Sequence, residues 1–150
     1  MIELSLIESD APCMAWLDSL KIYASVADDS QDALLNSLLL RACLRVQEMA
    51  DKSILACRFL LSEDEAEGSV RLYQTVSEVV NVKDGEGNGV SWVRKGRKIL
   101  VDHTTVEVEY TTKPNPMEVE ALMPVVFQYA TALYDGEDSG TLANILKQCL

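Results

Sequence analysis

The sequence predicts an α+β fold: a small antiparallel sheet of hairpins with flanking helices, a long helix in its N-terminal half and further helices near its C-terminal end. Three observations carry that expectation. Val106, Val108 and Tyr110 alternate with Glu107, Glu109 and Thr111, the two-residue period of a strand with one face on a core and one in water. Before it, the β-branched run Val76, Val79, Val80 and Val82 stops at Asp84-Gly85-Glu86-Gly87-Asn88-Gly89, where glycines let the chain reverse cheaply. From Asp32 to Asp51, Leu35, Leu39, Ala42, Val46 and Met49 follow spacings of four, three, four and three, a continuous helical seam.

The 150 residues are expected to form one domain, with helices over about 10–52, the sheet over about 54–112 and helices over about 116–149. Ser9 or Asp10 caps a short first helix, Pro12 sits in its first turn, and Cys13, Leu17 and Leu20 give it an apolar side beside Trp16. Residues 21–27 are a connection. Asp28-Asp29-Ser30 supplies a cap and negative charge for the long helix. Leu34, Leu38, Cys43 and Leu44 widen that helix's seam beyond what one sheet face needs, while Arg41, Arg45, Glu48 and Lys52 form a polar strip. The extra width implies a second contact, either with another helix or with a neighbouring subunit, or burial on two sides within the domain.

Ile54 to Leu61 reads as a strand, joined by the acidic loop Ser62 to Gly68 to Val70-Arg71-Leu72-Tyr73 as a hairpin. The loop's four carboxylates repel one another and read as a solvated turn rather than a cation site. After the sheet, Asn115 caps a helix with Pro116 in its first position and Glu118 as the capping-box acid. Val119, Leu122, Val126, Ala130 and Leu133 continue one face, and Pro124 either kinks this helix or begins the real one. Ser139 caps a last helix carrying Leu142, Ile145 and Leu146.

A net charge of −11 argues against sequence-independent nucleic-acid binding, which needs clustered Lys and Arg against phosphates. The N-terminus lacks the pattern of a signal peptide, and no apolar run approaches a membrane span. Cys13, Cys43, Cys57 and Cys149 are scattered, which suits reduced thiols of an intracellular product and not a zinc site. Asp84, Glu86, Asn88 and Gly89 imitate a calcium loop, but its twelfth position is Lys95 rather than a glutamate. Gly85, Gly87 and Gly89 precede strand, not helix, and so are no dinucleotide fingerprint. Asp102 and His103 are neighbours on an expected strand and point apart, which disfavours a triad. Neither a G-x-S-x-G nor a Walker loop is present. Tyr73, Trp92 and Tyr110 lack the basic neighbours of a single-strand stacking platform. The expectation is therefore no enzyme, no cofactor and no metal.

Taken in order, the pieces resemble the small head–tail connector (adaptor, head-completion) proteins of tailed bacteriophages and prophages. The resemblance rests on the acidic turn Ala27 to Asp32, the helix from Ala33-Leu34-Leu35 to Val46-Gln47-Glu48-Met49, and the strands Val70-Arg71-Leu72 and Val76-Ser77-Glu78-Val79. It continues through the turn Lys83-Asp84-Gly85-Glu86-Gly87, the strand Val106-Glu107-Val108-Glu109-Tyr110-Thr111, and the pieces Met123-Pro124-Val125 and Ala130-Thr131-Ala132-Leu133-Tyr134. It implies a structural virion protein that forms a ring below the portal, extends the DNA channel and docks tail or head-completion proteins. Its partners would be further copies of itself, the portal protein and a tail or head-completion protein, with no membrane; DNA would pass through without being specifically bound. It would reside in the virion neck, and in the host bacterial cytoplasm during assembly. If a ring forms, Leu34, Leu38, Leu142, Ile145 and Leu146 are the expected subunit contacts. The competing expectation is a monomeric α+β ligand- or peptide-binding module of a bacterial cell.

Overall fold

A computed structural model describes residues 1–136 and 140–149. Its elements are β1 (Ile2–Ser9), α1 (Met14–Tyr23), α2 (Asp32–Ala50), β2 (Cys57–Glu63), β3 (Ser69–Arg71), β4 (Val76–Asp84), β5 (Val93–Lys95), β6 (Lys98–Leu100), β7 (Val106–Thr112), α3 (Pro116–Tyr134) and α4 (Gly140–Cys149). The fold is α+β, with four helices and two small antiparallel sheets among the described residues. The chain groups into two compact units, Met1–Asp10 with Asp51–Pro114 and Ala11–Ala50 with Asn115–Leu150.

The first unit holds both sheets. One has four strands in the order β1-β2-β7-β4, the other three in the order β3-β6-β5. β7 lies inside the larger sheet, and the alternation that marks it is realised: Val106, Val108 and Tyr110 are fully buried, while Glu107, Glu109 and Thr111 are partly open. Opposite them on β2, Phe59 and Leu61 pair with Tyr110 and Val108, and the rings of Phe59 and Tyr110 lie 5.8 Å apart. The Arg58 guanidinium bridges to Glu109 on the other face. Two expectations about this region are corrected. The expected hairpin between residues 54–61 and 70–73 does not form: β2 pairs with β1 and β7, whereas β3 pairs with β6 in the other sheet. Ile54 and Leu55 are buried but precede the strand, which starts at Cys57 and runs through Glu63.

A further strand, β1, takes Ser9, one of the two residues expected to cap the first helix. The Asp10 N–H donates to the Ala56 carbonyl, so Ser9 and Asp10 end the β1–β2 ladder instead of starting a helix. α1 begins at Met14 with Cys13 as an N-cap that makes no side-chain bond, and Pro12 lies ahead of the helix.

The second unit is helical. α2 packs on α3, α1 touches both, and α3 packs on α4. Leu35, Leu39, Ala42, Cys43 and Val46 of the α2 seam are fully buried. Met49 and Leu34 are exposed, so the seam is narrower and shorter than expected. Asp28 does not cap α2; its carboxylate accepts from the N–H and hydroxyl of Ser30 in a local turn, and these bonds hold its pKa below the usual carboxylate value. Lys21 instead binds both Asp29 and Asp32, which raises its own pKa; residues 21–23, expected as connection, continue α1. α3 starts as expected, with the Asn115 side chain accepting from the N–H groups of Met117 and Glu118 at 2.9 and 3.4 Å. Pro124 lies inside one helix, and its neighbours Met123, Val125 and Val126 are buried. The Ser139 cap falls outside the described residues.

A candidate interaction surface

In the sheet unit, the reversal after β4 is built by one carboxylate. Asp84 Oδ1 accepts from the N–H groups of Glu86 and Asn88, at 2.9 and 3.0 Å, and these bonds hold the Asp84 pKa below its ordinary value. Gly87 takes φ +84°, and a Cβ on Gly85 would stand 2.9 Å from Thr105 Cγ2, so both glycines answer a geometric need. This carboxylate oxygen thus serves the turn itself. His103 lies in the bend before β7 rather than on a strand, with its side chain exposed. Among the described residues, no group of three or more His, Cys, Asp or Glu is placed to hold a metal, and no helix is long and apolar enough to cross a membrane.

A polar hub that the sequence did not reveal sits at Asp51. Its Oδ2 accepts from Arg97 at 2.6 Å and Arg71 at 2.8 Å, its Oδ1 accepts from the Gln74 N–H at 2.6 Å, and its carbonyl accepts a second Arg97 bond. Asp51 and Gln74 both have positive φ, 55° and 68°, a conformation that costs about 1 kcal/mol or more for such residues and needs outside support. The Asp51–Gln74 bond supplies that support. Ser53 and Thr75 then exchange reciprocal bonds, each hydroxyl accepting the other's N–H. Nearby, the buried Tyr110 hydroxyl accepts the Tyr73 N–H and donates to the Tyr73 carbonyl; burial pushes its pKa up to about 12.

Arg94 of β5 reaches β4, donating to the carbonyls of Ser77 and Val76 at 2.8 and 3.1 Å. The returning chain covers the far end of β4, through Asp84 N–H to Asn88 and Val90 N–H to Val82. One outer strand of the four-stranded sheet is therefore partly closed. The other, β1, pairs only with β2 and exposes Ile2, Leu6 and Ile7 by 50%, 44% and 50%.

In the helical unit, an open groove of about 560 Å³ runs along α2, lined by Leu40, Arg41, Leu44, Arg45, Glu48 and Tyr129. Arg45 pairs with Glu48 at 3.0 Å. Of the expected subunit contacts, Leu34 is 49% exposed and Leu38 half-buried on the same helix. Leu142 and Ile145 are buried within the chain itself, and the Leu146 side chain lies outside the described residues. Of the four whose side chains are described, only Leu34 and Leu38 reach the surface.

No protein-family model matches the sequence, and no curated protein matches it. Solved structures do match the fold. A chain from the neck of an empty GTA particle computed with C6 symmetry superposes with a TM-score of 0.68 at 16% identity, covering 89% of this chain and 84% of that one. A chain from the virion of a native gene transfer agent (GTA) particle gives 0.65 at 17% identity, over 88% and 84%. A chain from the neck of a native GTA particle computed with C12 symmetry gives 0.56 at 17%, over 86% and 84%. At such identities the likeness is one of fold.

Proposed function

We propose that this chain is a structural neck protein of a phage-like particle, forming a ring below the portal that extends the DNA channel and docks tail or head-completion proteins. The observation that carries the reading is the fold shared, over 89% of the chain, with a chain of a GTA particle neck. The sequence resemblance to head–tail connectors, made on different grounds, points the same way. The work of such a protein is assembly rather than catalysis: heterologous side-to-side contacts between copies close into a ring. Its partners are further copies, the portal and the next neck or tail component, met in the host cytoplasm as the virion is completed.

The net charge of −11 has a use in this reading. A negative channel wall repels phosphates, so DNA passes without being retained. Leu34 and Leu38 on α2 are proposed as subunit contacts, while Leu142 and Ile145 act indirectly by holding α4 in place. The test is production of particles without this protein. DNA-filled heads lacking tails are expected, with tails restored when purified protein is added back. Complete particles formed in its absence would overturn the proposal. Binding of a small ligand by a persistent monomer that ignores portal rings would favour the alternative binding module.

A further inference from the structure

We infer that the β5–β6 hairpin of one copy docks along the β1 edge of the next, an inference that rests on the ring-forming reading above. The two surfaces are each unfinished, and their chemistry is complementary. β1 and the adjoining end of β2 present Glu3, Glu8 and Glu63 around the exposed Ile2, Leu6 and Ile7, while the neighbouring Asp64 is already paired with the Met1 ammonium. The hairpin collects Arg94, Lys95, Arg97 and Lys98, four of the thirteen Lys and Arg of an acidic chain, beside exposed Trp92 (37%) and Val93 (58%). Arg94 and Arg97 are already engaged within the subunit. Lys95 and Lys98 are not: they stand directly opposite each other across the turn, both exposed, and neither has an ion pair among the described residues.

Like charges opposed on a hairpin are unfavourable by themselves, and carboxylates from outside relieve them. The register puts Ile2 and Leu6 on the sheet face of Leu61 and Phe59, and Glu3 and Glu8 on the opposite face beside Ser62 and Arg58. A hairpin laid along this edge presents a side chain to each face in turn: Trp92 to Leu6 on the first, and Val93 with Lys95 and Lys98 to Glu3 and Glu8 on the second. Other occupants of the β1 edge fit less well. A second β1 would set one acidic row against another, and the resulting two-fold pair does not propagate into a ring. β4 of a second copy is partly covered by Arg94 and by Asn88–Val90. The hairpin and the β1 edge are different surfaces, as a heterologous, ring-closing contact requires.

The test is sedimentation of the full chain up to about 1 mM. The variants are Lys95→Glu with Lys98→Glu, Glu3→Lys with Glu8→Lys, and the two combined. All four positions are exposed, and circular dichroism checks that each variant is folded. Each reversal is expected to raise the dissociation constant about tenfold or more, added salt to weaken the wild-type association, and the combined variant to recover it. A wild type that associates equally well after either reversal overturns the inference while leaving the ring to another surface. A wild type that stays monomeric throughout also overturns it, because this contact needs no third protein. The neck reading is then judged separately, by the add-back experiment.

Discussion

The two outer strands of the four-stranded sheet are finished in opposite ways. β4 is tied down: Arg94 occupies its carbonyls at Val76 and Ser77, and the chain after the glycine turn bonds to its far end. The loop leading into β4 is fixed by the Tyr110 hydroxyl and the Asp51 hub. Among the described residues β1 has no such ties on its outer side; it keeps three exposed apolar side chains, with a bulge between Leu6 and Glu8 and two glutamates to discourage pairing. An uncovered strand edge is a hazard for a protein that stays alone and a resource for one that assembles. Disturbing the β4 side should therefore register as lost stability, and disturbing the β1 side as lost association.

The largest expected effect is at Tyr110. Burial raises its hydroxyl pKa from 10.0 to about 12, so the folded state holds that proton more tightly than the unfolded one. Its contribution is complete below pH 10 and disappears as pH climbs through about 12, a loss of about 3 kcal/mol for a shift of this size. Urea titrations across that range should show the fall. Tyr110→Phe should flatten it, at a cost of about 1 kcal/mol at neutral pH because the Tyr73 N–H loses its acceptor.

Asp51→Ala comes next. It strands the half-buried Arg97 and removes the acceptor that supports the positive φ of Gln74. Asp51 is about one-third exposed, so the cost should lie between those of surface and buried ion pairs, about 2 kcal/mol in a denaturant titration. Arg94→Ala should cost about 1 kcal/mol, since the two β4 carbonyls it covers regain water rather than remaining buried. It should also turn β4 into a second open edge, seen as a greater tendency to aggregate on partial unfolding.

The same contrast explains what the sequence made legible. β7, the buried seam of α2 and the Asn115 cap each depend on residues close in the chain, where periodicity or spacing is the signal. The Asp51 hub joins residues 20, 23 and 46 positions away, and no local pattern announces it. β1 carries the alternation Ile2-Glu3-Leu4-Ser5-Leu6, the same signal that marks β7, so it was legible; only the bulge between Leu6 and Glu8 interrupts the period. The expected β2–β3 hairpin does not form because adjacency in sequence does not dictate adjacency in a sheet: β2 lies between β1 and β7. β3, β5 and β6 are three residues each, too short for any period to show. Helical spacing places Leu142 and Ile145 on one apolar face, but it cannot say whether such a face meets a neighbour or its own core, and both are buried within the chain.

The smallest expected change in stability is at the open edge, and it is the one that decides the comparison. Leu6 is 44% exposed on β1, and a lysine there can lay its stem over the surface that the leucine covers. Leu6→Lys should therefore change unfolding free energy by about 0.5 kcal/mol or less. The added ammonium lies where the basic hairpin of a neighbouring copy is proposed to arrive, and lysine on an outer strand opposes pairing generally. Self-association should fall by about tenfold or more although the monomer is as stable as before, a combination that sedimentation and urea titration read together. If the lysine variant instead unfolds readily, β1 is a structural edge whose side chains serve its own subunit. The two edges would then differ in appearance but not in purpose.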